Sequence, residues 1–121
     1  MKDELKIILR KLPQAMSKDT CYHGDVDNWY PTNPTAGHCA ITAILIQEIL
    51  GGEVCKTKVN RRSHYFNVLD DHTIVDATAE QFKYNKPNYS KFEVVSTKNM
   101  LKNKDTKERY QKFKSRYFNI A

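Results

Sequence analysis

Cys39-Ala40-Ile41-Thr42-Ala43-Ile44-Leu45-Ile46-Gln47-Glu48-Ile49-Leu50, stopped by Gly51-Gly52, is the stretch from which the fold can be read. Ala40, Ile41, Ala43, Ile44, Leu45, Ile46, Ile49 and Leu50 fall on nearly every side of a helical wheel. A surface helix shows one apolar stripe, so this pattern describes a central helix covered all round. The glycine pair ends it, because glycine accepts the left-handed backbone that closes a helix.

Outward from that helix, a strand is expected over residues 53–59, then a basic loop with Arg61 and Arg62, then a hairpin of residues 64–69 and 73–78. A three-residue loop at Asp70-Asp71-His72 pairs Leu69 with Thr73, Phe66 with Asp76 and His64 with Thr78. Paired residues share a face and alternate residues return to it, so His64 and Asp76 become diagonal neighbours on one face. A two-residue loop would send them to opposite faces. Such a three-residue loop ends in a left-handed residue, usually glycine, so His72 is a tolerated occupant. By the same alternation Asn67 points to the other face.

Upstream, Leu5, Ile8, Leu9, Leu12 and Met16 recur at three- and four-residue intervals, an amphipathic helix over 2–16 that Pro13 kinks or ends. Residues 17–38 read as a long polar loop. A loop of that length in a compact domain is functional or packed by its own side chains, here Trp29 and Tyr30. Toward the C-terminus a short strand is expected at 92–95. A last helix follows, with Asp105 and Glu108 as a capping box and Tyr110, Phe113, Tyr117 and Phe118 as its apolar stripe.

The whole is expected to be an α+β fold in one domain, 1–121, with a buried central helix on a small antiparallel sheet and flanking terminal helices. Hydrophobic content of 40% and charged content of 28% suit a globular chain. No apolar run approaches the roughly 20 residues of a membrane span, and no signal-peptide stretch stands at the N-terminus. A cytoplasmic location without a membrane partner is expected. Three cysteines without CxxC spacing suggest reduced thiols, neither a disulfide framework nor a zinc ribbon. The net charge of +6 belongs to residues 98–121, where eight basic side chains meet only Asp105 and Glu108. Those charges alternate with aromatics committed to packing, and no nucleic-acid motif accompanies them. A solvated helix face is therefore preferred to a nucleic-acid patch.

Three residues carry the chemistry. Cys39, in the first turn of the helix, would face unpaired backbone N–H groups and the positive dipole end, which favour a thiolate nucleophile. His64 would be its general base and acid. Asp76, out of place among Ile74, Val75 and Ala77 unless paired, would fix the imidazole tautomer. The oxyanion would be held by the backbone N–H of Cys39 with the Asn33 amide. His38 and Trp29 are candidate substrate contacts. Against these stand plainer roles: a small buried cysteine, a hydrogen-bonded strand histidine, an aspartate bonded to backbone, a turn asparagine in Thr32-Asn33-Pro34, and a loop histidine at 38 facing solvent. His23 and His72 carry no pattern. Cysteine, histidine and aspartate are also zinc ligands, but without a short-spacing ligand pair no metal and no cofactor is expected.

Gly37-x-Cys39, His64-Tyr65-Phe66 and Val75-Asp76-x-Thr78 resemble, in their order, the core of transglutaminase-like and papain-like cysteine enzymes. More closely, four separated blocks resemble the small bacterial YunG-like family over about residues 29–118. They are Asn33-Pro34-x-x-Gly37-His38-Cys39-Ala40, Gln47-Glu48-x-x-Gly51-Gly52-Glu53-Val54, Ser63-His64-Tyr65-Phe66-Asn67 and Asp76-x-Thr78-x-x-Gln81-Phe82. The resemblance implies a papain-like α+β fold. It leads one to expect glutamine where His38 stands and a glycine in the 70–72 turn. The function expected is a cysteine hydrolase or acyl-transferase acting on an amide or thioester, in a peptide, a protein side chain or a small molecule. Peptidase, deamidase and transglutaminase chemistries share the triad and stay open. The alternative is a non-catalytic binding domain on the same fold.

Overall fold

The computed structural model describes residues 2–82 and 86–120. Its elements, in chain order, are helix α1 (Lys2–Ala15), helix α2 (Cys39–Leu50), strands β1 (Glu53–Val59), β2 (Arg62–Val68), β3 (Ile74–Val75) and β4 (Glu93–Val95), then helices α3 (Thr97–Met100) and α4 (Lys104–Phe118). Short 3₁₀ turns lie at His23–Asn28 and Ala79–Gln81. The architecture is α+β: a four-stranded antiparallel sheet in the order β3-β2-β1-β4, with helices packed on it.

Helix α2 is the axis of the molecule. Ile41, Ala43, Ile44, Leu45 and Ile46 are buried on its several sides. They meet Ile8 and Leu12 of α1, Val75 of β3, Leu69 just past β2, and Tyr110, Phe113 and Tyr117 of α4. Gly51 and Gly52 turn the chain sharply into β1, with φ of 78° and 77°. At Gly52 no side chain fits, since a Cβ would stand 2.5 Å from the Val68 carbonyl oxygen.

β1 and β2 are joined through Asn60 and Arg61, both left-handed at φ 51° and 69°. That is the twist a two-residue hairpin requires. The basic loop thus shrinks to this turn, because Arg62 already pairs with Val59. The second hairpin takes the expected register: Asn67 faces Val75, Val68 faces Ile74, and Leu69 N–H donates to the Thr73 carbonyl at 2.9 Å. His72 occupies the left-handed position at φ 69°. Asn67 turns away from His64 and donates through Nδ2 to the Ala43 carbonyl of α2 at 2.9 Å.

Several expectations need correction. Pro13 does not end α1, which runs on to Ala15 with the proline in its last turn. Only one N–H is lost there, and Met16 N–H bonds back to the Pro13 carbonyl at 3.2 Å. β3 has two residues instead of six, because the Asp76 side chain caps the backbone of Thr78 and turns the chain away. Asn103, not Asp105, caps α4 by accepting from Thr106 N–H at 3.0 Å; Asp105 instead pairs with Arg109 one turn on. Phe118 is 56% exposed and does not belong to the buried stripe.

Candidate active site

Cys39 is the first residue of α2, partly exposed, where backbone N–H groups have no intrahelical partner. The preceding residue, His38, makes no side-chain cap. Gly37, at φ 70°, leads into this corner; a Cβ there would strike the Cys21 sulfur at 2.5 Å.

His64, on β2, and Asp76, just past β3, meet as the hairpin register requires. His64 Nε2–H donates to Asp76 Oδ2 at 2.6 Å, and both side chains are buried, 1% and 4% exposed. The other ring nitrogen, Nδ1, is buried and makes no hydrogen bond among the described residues. The Cys39 thiol is its neighbour, close enough to act on the ring although the sulfur does not meet hydrogen-bond geometry. Phe82 covers the ring edge-on, with centroids 4.8 Å apart. Burial alone would depress the pKa of this imidazole. The Asp76 hydrogen bond and the Cys39 sulfur outweigh it and lift the value to about 9.

Asp76 is fully engaged. Oδ2 also accepts from the Tyr89 hydroxyl at 2.7 Å, and Oδ1 accepts from Thr78 N–H at 3.2 Å and Thr78 Oγ1–H at 3.4 Å. Cys39 opens on a cavity of about 500 Å³ walled mainly by polar side chains, among them Tyr22, Asp25, Arg62, Tyr65 and Arg109. Arg62 and Asp25 form a two-pronged ion pair, both contacts 2.8 Å, between this cavity and a second hollow. The other two thiols are different in kind. Burial pushes both Cys21 and Cys55 up to about 11, aided by Asp25 and Glu53 respectively.

A family model described as YunG protein matches residues 4–120. The chain belongs to the YunG protein family. It is 36% identical over 55 residues to a Bacillus subtilis (strain 168) protein named "Uncharacterized protein YunG". That segment is 46% of this chain and 47% of the relative, so the match spans about half of the curated protein. No solved structure matches.

Within this YunG family chain the remaining candidates lie apart from Cys39, His64 and Asp76. His38 neither faces solvent nor reaches a substrate position: it is 0% exposed, with Nδ1 against the Ala36 carbonyl at 2.9 Å and Nε2 against Thr20 Oγ1 at 2.7 Å. A carbonyl only accepts, so Nδ1 carries the proton and Nε2 accepts from the threonine. Burial accordingly lowers the His38 pKa to about 4. Asn33 uses its amide to donate to the Asn28 carbonyl at 3.0 Å and lines the second hollow rather than the cavity at Cys39. It is a turn residue. Trp29 donates through Nε1 to the Pro34 carbonyl at 2.9 Å and pins the 17–38 loop instead of lining the cavity.

Residues not singled out from sequence complete the site. Thr78 carried a signal, since an aspartate two residues before a threonine favours a side-chain turn. Phe82 stood in the block Asp76-x-Thr78-x-x-Gln81-Phe82 with no role given to it, and Tyr89, from an irregular segment, carried no signal. Among the described residues no group of three or more His, Cys, Asp and Glu is arranged to hold a metal ion, and no helix is long and apolar enough to cross a membrane.

Proposed function

We propose that this YunG family protein is a cysteine-dependent hydrolase or acyl-transferase, acting on an amide or thioester carbonyl, with a papain-like or transglutaminase-like core. One observation carries the reading. A buried imidazole is held by a carboxylate through one nitrogen, while its other nitrogen is left without a hydrogen bond beside a cysteine at a helix start.

In this reading His64 is the imidazolium at neutral pH and Cys39 the thiolate nucleophile, each charge stabilising the other. The sulfur attacks the carbonyl carbon, and the carbonyl π electrons move to oxygen, facing the N–H groups at the head of α2. As the tetrahedral adduct collapses, the C–N or C–S bond breaks and Nδ1–H of His64 protonates the departing amine or thiolate. An acyl group then remains on Cys39. Neutral His64 next takes a proton from water or an acceptor amine as it attacks that carbonyl, and Cys39 leaves as thiolate. Asp76 keeps Nε2 protonated throughout, so Nδ1 is the nitrogen that exchanges protons. Three free thiols suit a reducing compartment, and a cytoplasmic location belongs to the same proposal.

Iodoacetamide labelling across pH tests the proposal. Cys39 should alkylate faster than Cys21 and Cys55, retain its reactivity below neutral pH and lose the advantage in His64→Ala. Electrophilic amide and thioester probes should modify the native chain and spare Cys39→Ala. Equal, slow labelling of all three thiols would instead identify a non-catalytic binding domain.

A further inference from the structure

The Asp76 carboxylate does not serve His64 alone. Its Oδ2 accepts two short hydrogen bonds, from His64 Nε2 at 2.6 Å and from the Tyr89 hydroxyl at 2.7 Å. Oδ1 is occupied by longer contacts from neighbouring Thr78. Tyr89, thirteen residues away in the chain, thus joins His64, twelve residues away, as a long-range donor to this group.

Its placement is well supported. The ring packs edge-on against Phe66, with centroids 5.1 Å apart, and Thr57 Oγ1 holds the same segment by donating to the Lys91 carbonyl at 2.6 Å. Burial and the neighbouring Asp76 carboxylate raise the phenol's pKa, so it remains a proton donor through the physiological range.

We infer that Tyr89 is a positioning residue which, by sharing Oδ2 of Asp76, limits how tightly His64 holds its proton. The inference rests on the catalytic reading for its functional meaning. A carboxylate oxygen that accepts two strong donors offers each of them less, and the second donor stabilises the anion without help from the imidazolium. An imidazolium gripped by an unshared carboxylate would be a reluctant acid toward the leaving group. The shared oxygen moderates that grip while the two bonds fix the carboxylate plane.

The groups facing His64 are few. Cys39 approaches from α2, Asp76 from the end of β3 and apolar Phe82 from beyond the 3₁₀ turn. Arg62 and Tyr65 of β2 act on the Cys39 side, and Tyr89 reaches the ring only through Asp76. Removing the Tyr89 hydroxyl therefore changes one identifiable contact.

The experiment is an NMR titration of the His64 ring, assigned with His64→Gln, in the native chain, in Tyr89→Phe and with 3-fluorotyrosine at position 89. Tyr89→Phe keeps the ring packed on Phe66 and should raise the His64 midpoint by an amount corresponding to about a threefold gain in proton affinity. The fluorinated phenol, a stronger donor, should lower it. A merely structural tyrosine would move neither; an unchanged or lowered midpoint in Tyr89→Phe overturns the inference. The titration reads the ring independently of turnover, whereas Cys39 alkylation of the same samples tests catalysis. Shifted midpoints with an unreactive Cys39 would uphold the role of Tyr89 and defeat the catalytic reading alone.

Discussion

Replacing Asp76 with asparagine should flatten the alkaline limb of stability. In the folded protein His64 has a pKa of about 9, against 6.5 for an unperturbed histidine. The folded state therefore binds the proton more tightly than the unfolded chain. Its stabilisation is fully present below about pH 6.5 and is lost as pH rises through about 9. Converted at 1.36 kcal/mol per pH unit, the difference is at most about 3 kcal/mol. Asp76→Asn keeps the shape and an acceptor for Nε2–H but removes the charge. Burial, which lowers a histidine pKa, is then opposed chiefly by Cys39, and the gap between the folded and unfolded pKa of the ring narrows. Urea unfolding of both proteins between pH 6 and 9.5 measures the effect. In the unfolded chain Cys21 and Cys55 also titrate near the top of that range, whereas in the fold both are pushed up to about 11; this contribution is the same in both proteins and cancels in the comparison. Native protein should lose stability across the interval by an amount the variant does not. Parallel curves would refute the assignment of the raised pKa to the Asp76 contact.

Two further outcomes follow from buried geometry. His38 has the opposite sign: its folded pKa is depressed to about 4, so its contribution is present above pH 6.5 and lost as pH falls through 4. His38→Gln retains one donor for the Ala36 carbonyl and one acceptor for Thr20, so the acid loss measured by urea unfolding should shrink by up to about 3 kcal/mol; an unchanged acid limb would count against it. Gly52→Ala forces a Cβ to within 2.5 Å of the Val68 carbonyl oxygen at φ 77°. A loss of roughly 2 kcal/mol or more is expected in thermal or urea unfolding, and a variant as stable as the native chain would contradict the close approach.

What the sequence disclosed was local and periodic. The all-round apolar pattern from Ala40 to Leu50 marked the central helix, and side-chain alternation with a three-residue loop was enough to bring His64 onto the face of Asp76. Two of the failures share a cause: hydrogen-bond partners distant in sequence leave no periodic trace. Tyr89 lies in an irregular segment, and nothing in its neighbours announces a bond to Asp76. His38 looked like a loop histidine because the closing partner, Thr20, is eighteen residues away. Asn33 was ambiguous between turn and amide donor, and the contact with the Asn28 carbonyl decides for the turn. At α4 the sequence pointed to Asp105 as the cap; Asn103 takes that place, and the Arg109 side chain one turn along engages Asp105.

The loop over 17–38, which walls the cavity at Cys39, is fastened differently from the rest of the molecule. Asp19 is bound by Arg116 of α4, Asp25 by Arg62 of β2, and the Thr20 carbonyl by Arg109. The Arg116 and Arg62 side chains are substantially solvent-exposed, so mobile ions compete with their pairings. The apolar contacts around α2 have no such dependence. Concentrated salt should therefore loosen the mouth of the cleft while the interior stays intact, making ionic strength a handle on access that temperature does not provide.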